Sequence, residues 1–200
     1  TTRLIMETRP VPIVICSALA SDSVFLSLAA GAVACIEKPT DRGRPNFEAL
    51  AGILLQTVKL MAEVKVVRRW PRRQVLSAPS PNVSSKGRTV KGNVKIIGIG
   101  ASTGGPPVLK TILSGLPQDF PVPVLVVQHI APGFLSGMAD WLGQSTGRQV
   151  HVASCGVLPT PGHVYLAPDD YHMGIDPDGH IILARESPEN VLRPAVSFLF

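Results

Sequence analysis

The segment Ile97-Gly98-Ile99-Gly100-Ala101-Ser102-Thr103-Gly104-Gly105-Pro106-Pro107 runs from an apolar stretch into glycines, two hydroxyls and two prolines, as a strand does where it turns into a helix. Two chemistries use such a turn. In nucleophilic catalysis, Gly100-x-Ser102-x-Gly104 fits an elbow that presents a serine between small neighbours. In dinucleotide binding, glycines let the backbone approach a pyrophosphate at a helix N-terminus. The spacing Gly98-x-Gly100-x-x-x-Gly104 is one residue off that fingerprint, and Gln128-His129 stands where an acid would hold the ribose. A serine hydroxyl is a poor nucleophile near neutral pH and needs a base within hydrogen-bond reach. His129 can be that base, because adjacent parallel strands lie about 4.8 Å apart and end at one sheet edge, where α/β folds place their ligands. Backbone N–H groups at the start of a helix opened by Pro106 or Pro107 could face the developing oxyanion. From these local features alone, a catalytic pair and a phosphate-cradling loop both stay open.

The elements that must position these residues read as α/β. Val94 to Ile99 is a strand, Gly104 to Leu116 a helix and Val122 to Gln128 a second strand, the pattern of a right-handed parallel crossover. Phe134, Leu135, Met138, Trp141 and Leu142 follow at helical spacing and are expected in the core. Short strands near Val150, Val164, Met173 and Ile181 are separated by Pro/Gly turns, with a hairpin at Asp178-Gly179. Towards the N-terminus, Pro12 to Cys16 and Val33 to Glu37 read as strands flanking a short helix, Val24 to Ala30. Phe47, Leu50, Leu54, Val58 and Met61 mark an amphipathic helix.

With 200 residues, 45% of them hydrophobic, the chain suffices for one domain or parts of two. Its three cysteines, Cys16, Cys35 and Cys155, are too few and too scattered for a disulfide framework or a zinc knuckle, which points to a reducing cytoplasm. No apolar run approaches the roughly 18 residues of a membrane span, and Thr1 to Thr8 do not resemble a secretion signal. The lack of an initiator Met and the uncapped apolar end at Val196 to Phe200 lead us to expect a chain cut at both ends. The net charge of +5 suggests nucleic acid only until it is mapped: residues 65–92 carry eight basic and no acidic residues, residues 1–64 are neutral, and residues 93–200 sum to −3. That basic stretch is rich in Pro and Ser and reads as a solvated linker; with only Trp70 interleaved it lacks the stacking positions of a single-strand binder.

These motifs resemble one family, the chemotaxis response regulator protein-glutamate methylesterases. The resemblance rests on Gly100-Ala101-Ser102-Thr103-Gly104-Gly105, on Gln128-His129 with Pro132-Gly133-Phe134, and on Leu158-Pro159-x-Pro161-Gly162-His163-Val164-Tyr165-Leu166-Ala167-Pro168. Tyr171-His172-Met173 and Arg193-Pro194-Ala195-Val196-Ser197 extend it. Residues 1–64 resemble the second half of the family's phosphoacceptor receiver, through Thr8-Arg9-Pro10-Val11-Pro12-Ile13-Val14, Gly31-Ala32 and Lys38-Pro39. The implied fold is the C-terminal half of a receiver-type, flavodoxin-like domain (1–64), a linker (65–92) and the N-terminal part of a parallel-sheet, Rossmann-like hydrolytic domain (93–200).

What the resemblance implies is a Ser-His-Asp hydrolase that cleaves glutamyl methyl esters on methylated chemoreceptors, with glutamine deamidation as a further activity open to the same nucleophile, under control of receiver phosphorylation. Ser102 is then the nucleophile, His129 the general base, and Thr103 an orienting or oxyanion residue. The third triad member, an aspartate, is expected beyond Phe200; none of Asp140, Asp169, Asp170, Asp176 or Asp178 lies in its motif, so the isolated chain is expected to be nearly inactive. In the receiver half, Ser17 resembles the switch hydroxyl and Lys38 the lysine that pairs with the phosphoryl group, while Cys35 stands where an aromatic switch is usual. The phosphoacceptor and the acids that hold Mg²⁺ are expected before Thr1, so the ion and a histidine-kinase phosphodonor belong to the complete protein. No cofactor is expected in catalysis. His151, His163, His172 and His180 lack zinc-site spacing and read as hydrogen-bonded or exposed. Two other classes remain: a non-catalytic interaction module and a nucleotide-binding oxidoreductase.

Overall fold

Val124-Leu125-Val126-Val127-Gln128 has no alternation, and all five residues are buried, as expected of a strand covered on both faces. The computed structural model describes residues 1–18, 22–40, 47–66, 94–185 and 192–200. The N-terminal part contains α1 (Thr2–Thr8), β1 (Val14–Ser17), α2 (Asp22–Ala29), β2 (Ala34–Glu37) and α3 (Phe47–Ala62). The rest contains β3 (Ile97–Ala101), α4 (Gly105–Gly115), β4 (Val124–Gln128), α5 (Leu135–Thr146), β5 (Val150–Val152), β6 (Val164–Leu166), β7 (His172–Ile175), β8 (Ile181–Ala184) and α6 (Val196–Leu199). Strands β3-β4-β6-β5 form a parallel sheet in that order, β1 and β2 pair in parallel, and β7 and β8 form an antiparallel hairpin.

The period of two along β4 divides the interior. Val124 and Val126 join Leu109, Leu113, Met138 and Trp141 on one face, and Leu125 and Val127 meet Tyr165, Met173 and Ile181 on the other. As the spacing predicts, α5 turns Leu135, Met138, Trp141 and Leu142 inward. Trp141 stacks on Phe25 of α2 with ring centroids 5.5 Å apart, which ties the N-terminal part to the larger sheet. Among the described residues, no helix is long and apolar enough to cross a membrane.

Three local features add to or adjust the sequence reading. Helix α1 was not anticipated: Thr1 makes no side-chain cap bond and the first turn has no acid, so the usual start signals are missing. Helix α3 has the expected period but no fully buried residue, and Leu55 and Leu60 are exposed. Strand β1 begins at Val14 and includes Ser17, which therefore ends the strand rather than following it. The basic linker, from residue 67 onwards, lies outside the described residues.

Arg148 is a buried cation that sequence reading passed over. Its Nε donates to Leu113 O at 2.8 Å, and its Nη2 to Leu116 O and Pro117 O at 2.6 and 2.8 Å. The guanidinium thus caps the carbonyl end of α4. Arg148→Met is expected to leave these acceptors unpaired and lower the unfolding free energy by about 3 kcal/mol, read from urea denaturation.

Candidate active site

Parallel register brings the two candidate residues to one edge. Ala101 pairs with Gln128, and His129 N donates to Ala101 O at 3.0 Å, so Ser102 and His129 leave neighbouring strand ends together. The chain then turns at once: Gly105 N donates to Ser102 O at 2.8 Å, and Gly104 has φ +76° and ψ 0°. Those angles belong to the third residue of a type II turn and favour glycine. Helix α4 follows, with proline in its first turn. Ser102, Thr103 and His129 line one cavity of about 400 Å³, whose other wall includes Cys35, Ile36 and Met61 from the N-terminal part.

Three of the glycines, Gly98, Gly100 and Gly105, make room for side chains. A Cβ at Gly100 would overlap Val196, and one at Gly98 would lie 3.1 Å from the Phe200 ring, so β3 is smooth where α6 lies on it. The approach that a pyrophosphate would need along Gly98 and Gly100 is therefore filled. Gly105 makes room for Gln128, whose amide oxygen a Cβ there would strike. In the sequence Gln128 marks the absence of a ribose-binding acid and belongs to a family motif, with no role of its own assigned. It is 3% exposed, and its Nε2 donates to Ser102 O at 2.9 Å and to His129 O at 2.7 Å.

The imidazole of His129 is half-buried, and its Nε2 lies 2.9 Å from Pro194 O. A carbonyl only accepts, so Nε2 carries the proton and the neutral ring has its lone pair at Nδ1. The next residue, Ala195, donates its N–H to Nδ1 of the buried His172 at 3.1 Å, and His172 in turn stacks on Phe198. Asp169 accepts from Gly133 N at 3.3 Å and so ties the loop after β6 to the loop that follows His129. Burial raises the Asp169 pKa, against the lowering effect of that hydrogen bond.

The remaining residues singled out in the sequence fall elsewhere. Lys38 N donates to Ser17 O at 2.8 Å, so these two share one strand edge of the N-terminal part, outside the cavity lining. Cys35 is buried, and burial pushes its thiol up to about 11, whereas Cys16 and Cys155 are exposed. His151 and His163 share a hydrogen bond of 3.0 Å beside Tyr165, and His180 lies 3.7 Å from Asp176. Among the described residues, no three His, Cys, Asp or Glu side chains are grouped to hold a metal ion.

The CheB methylesterase model matches residues 97–200, the stretch that builds this edge. The chain belongs to the CheB methylesterase family. A protein-glutamate methylesterase/protein-glutamine glutaminase of Nitrosospira multiformis is 46% identical over all of this chain and 57% of its own length. A similarly named protein of Geobacter metallireducens is 50% identical over all of this chain and 58% of its own length. The chain thus spans little more than half of these curated relatives. The crystal structure of the Thermotoga maritima CheB methylesterase catalytic domain is 40% identical, with a TM-score of 0.49 over 54% of this chain and 59% of that one.

Proposed function

We propose that the protein hydrolyses glutamyl methyl esters on methylated chemoreceptors, with Ser102 as nucleophile and His129 as general base. The supporting observation is the register that sets Ser102 beside His129 over a shared cavity. In this reading Ser102 Oγ attacks the ester carbonyl while the imidazole takes its proton. The proton then passes to the departing methoxide, and methanol leaves an acyl-enzyme. Water, deprotonated by the same imidazole, releases the glutamate and restores the hydroxyl. A glutamine amide meets the same nucleophile with ammonia as the leaving group, so deamidation belongs to the same reading. Thr103, on the turn itself, lines the oxyanion side or orients the histidine. The resemblance puts a triad aspartate beyond Phe200, with the role of orienting His129 and stabilising its imidazolium.

We assign residues 1–64 to a receiver, 65–92 to a linker and 93–200 to the catalytic domain, acting in the cytoplasm. Ser17 and Lys38 are its switch pair, answering to a histidine-kinase phosphodonor. The wall that Cys35, Ile36 and Met61 contribute to the cavity gives the receiver a route to control access to Ser102. In this reading Mg²⁺ serves receiver phosphorylation in the complete protein.

The test is methanol release from methylated receptor by the full-length protein. Release that follows enzyme concentration and ceases in His129→Ala supports the reading. No release, with saturable binding of a nicotinamide cofactor instead, would favour the dinucleotide alternative.

A further inference from the structure

We infer that Gln128 is a positioning residue that clamps the nucleophile turn to the histidine loop. The inference rests on the hydrolase reading above. Two carbonyls face the Gln128 amide, and carbonyls only accept, so the NH₂ end points at both. One of them belongs to Ser102 and the other to His129, which makes this side chain a bridge between the backbones of the two reacting residues. Ser102 O is held twice, by Gly105 N and by Gln128 Nε2, while His129 O takes the second amide bond.

The surroundings are built to hold the amide in that place. Gln128 ends β4, is 3% exposed, and sits where the missing Cβ of Gly105 leaves space between Ala101 and α4. Its Oε1 is buried without a hydrogen-bond partner, so the structure bears the cost of an unsatisfied acceptor in order to keep both donors aimed at the active edge. An apolar residue of similar size would fill the space but could not bridge the two turns. Misplacement of the serine relative to the histidine by about 1 Å costs on the order of 10²-fold in rate.

Gln128→Leu and Gln128→Met in the full-length protein test this, with Ser102→Ala measured alongside. Each is expected to lower kcat on the order of 10²-fold while KM stays within about twofold, because Gln128 is 3% exposed and acts through the two backbones it bridges. Amide exchange should rise together in residues 102–105 and 129–133 but not along the rest of β3 and β4. Wild-type kcat in either folded variant, with Ser102→Ala inactive, overturns the clamp and leaves the hydrolase reading intact. Turnover by Ser102→Ala overturns the hydrolase reading and with it the positioning role of Gln128, whatever the exchange data show. Should Gln128→Leu not fold, Gln128→Met, whose flexible chain fits irregular space, carries the same two readouts.

Discussion

Ser102→Ala in the full-length protein is expected to lower kcat for glutamyl methyl ester hydrolysis by roughly 10⁴ to 10⁶, with little change in KM. The substitution removes one oxygen from an exposed turn residue, so neither packing nor the type II turn should suffer. The backbone carbonyl that Gln128 and Gly105 both hold is unaffected. A large rate loss without a change in melting temperature therefore separates chemistry from folding. His129→Ala should cost a comparable factor, and combining the two should add little, because the residues act as a unit. Steady-state kinetics on methylated receptor, with thermal melting as the control, checks all three variants.

The second large effect comes from Gly100, which lies two residues before Ser102 and itself takes no part in the chemistry. Gly100→Ala is expected to destabilise the fold by about 1–3 kcal/mol, because the new methyl overlaps Val196. Helix α6 must then lift from β3, and it begins two residues after Pro194, whose carbonyl meets His129. Activity should fall with stability in this variant, unlike in Ser102→Ala. Adding Val196→Ala removes the obstructing side chain and should recover much of both losses, a coupling of contacting residues that a double-mutant cycle measures. No recovery in the double variant would mean that the overlap is not the cause.

The two cases mark what can be read from the chain and what cannot. Parallel strands, the crossover helix and the core face of α5 were legible because apolar run length and the 3.6-residue period are local signals. The approach of Ser102 to His129 was also legible, since strand ends in a parallel pair must coincide at one edge. Gly98 and Gly100 left a phosphate approach open in the sequence, because what fills them comes from residues 196–200, almost a hundred positions away. Gln128 stood in the sequence as a missing acid and as part of a family motif, but its role depends on two carbonyls and a glycine from another strand and helix. Arg148 carries no motif at all; only the fold brings the end of α4 to it. The period of α3 promised a buried stripe that the structure does not bury completely, because period reports amphipathicity and not its partner. Helix α1 had no cap to announce it.

The central claim is that Ser102 is the nucleophile, activated by its neighbour across the sheet edge. The direct measurement is covalent: the full-length protein is treated with a fluorophosphonate, digested, and the modified residue located by mass spectrometry. A single adduct on Ser102 is expected, formed much more slowly in His129→Ala, with hydrolysis lost in step with labelling. An adduct on another residue with Ser102 unmodified, accompanied by the same loss of hydrolysis, would contradict it.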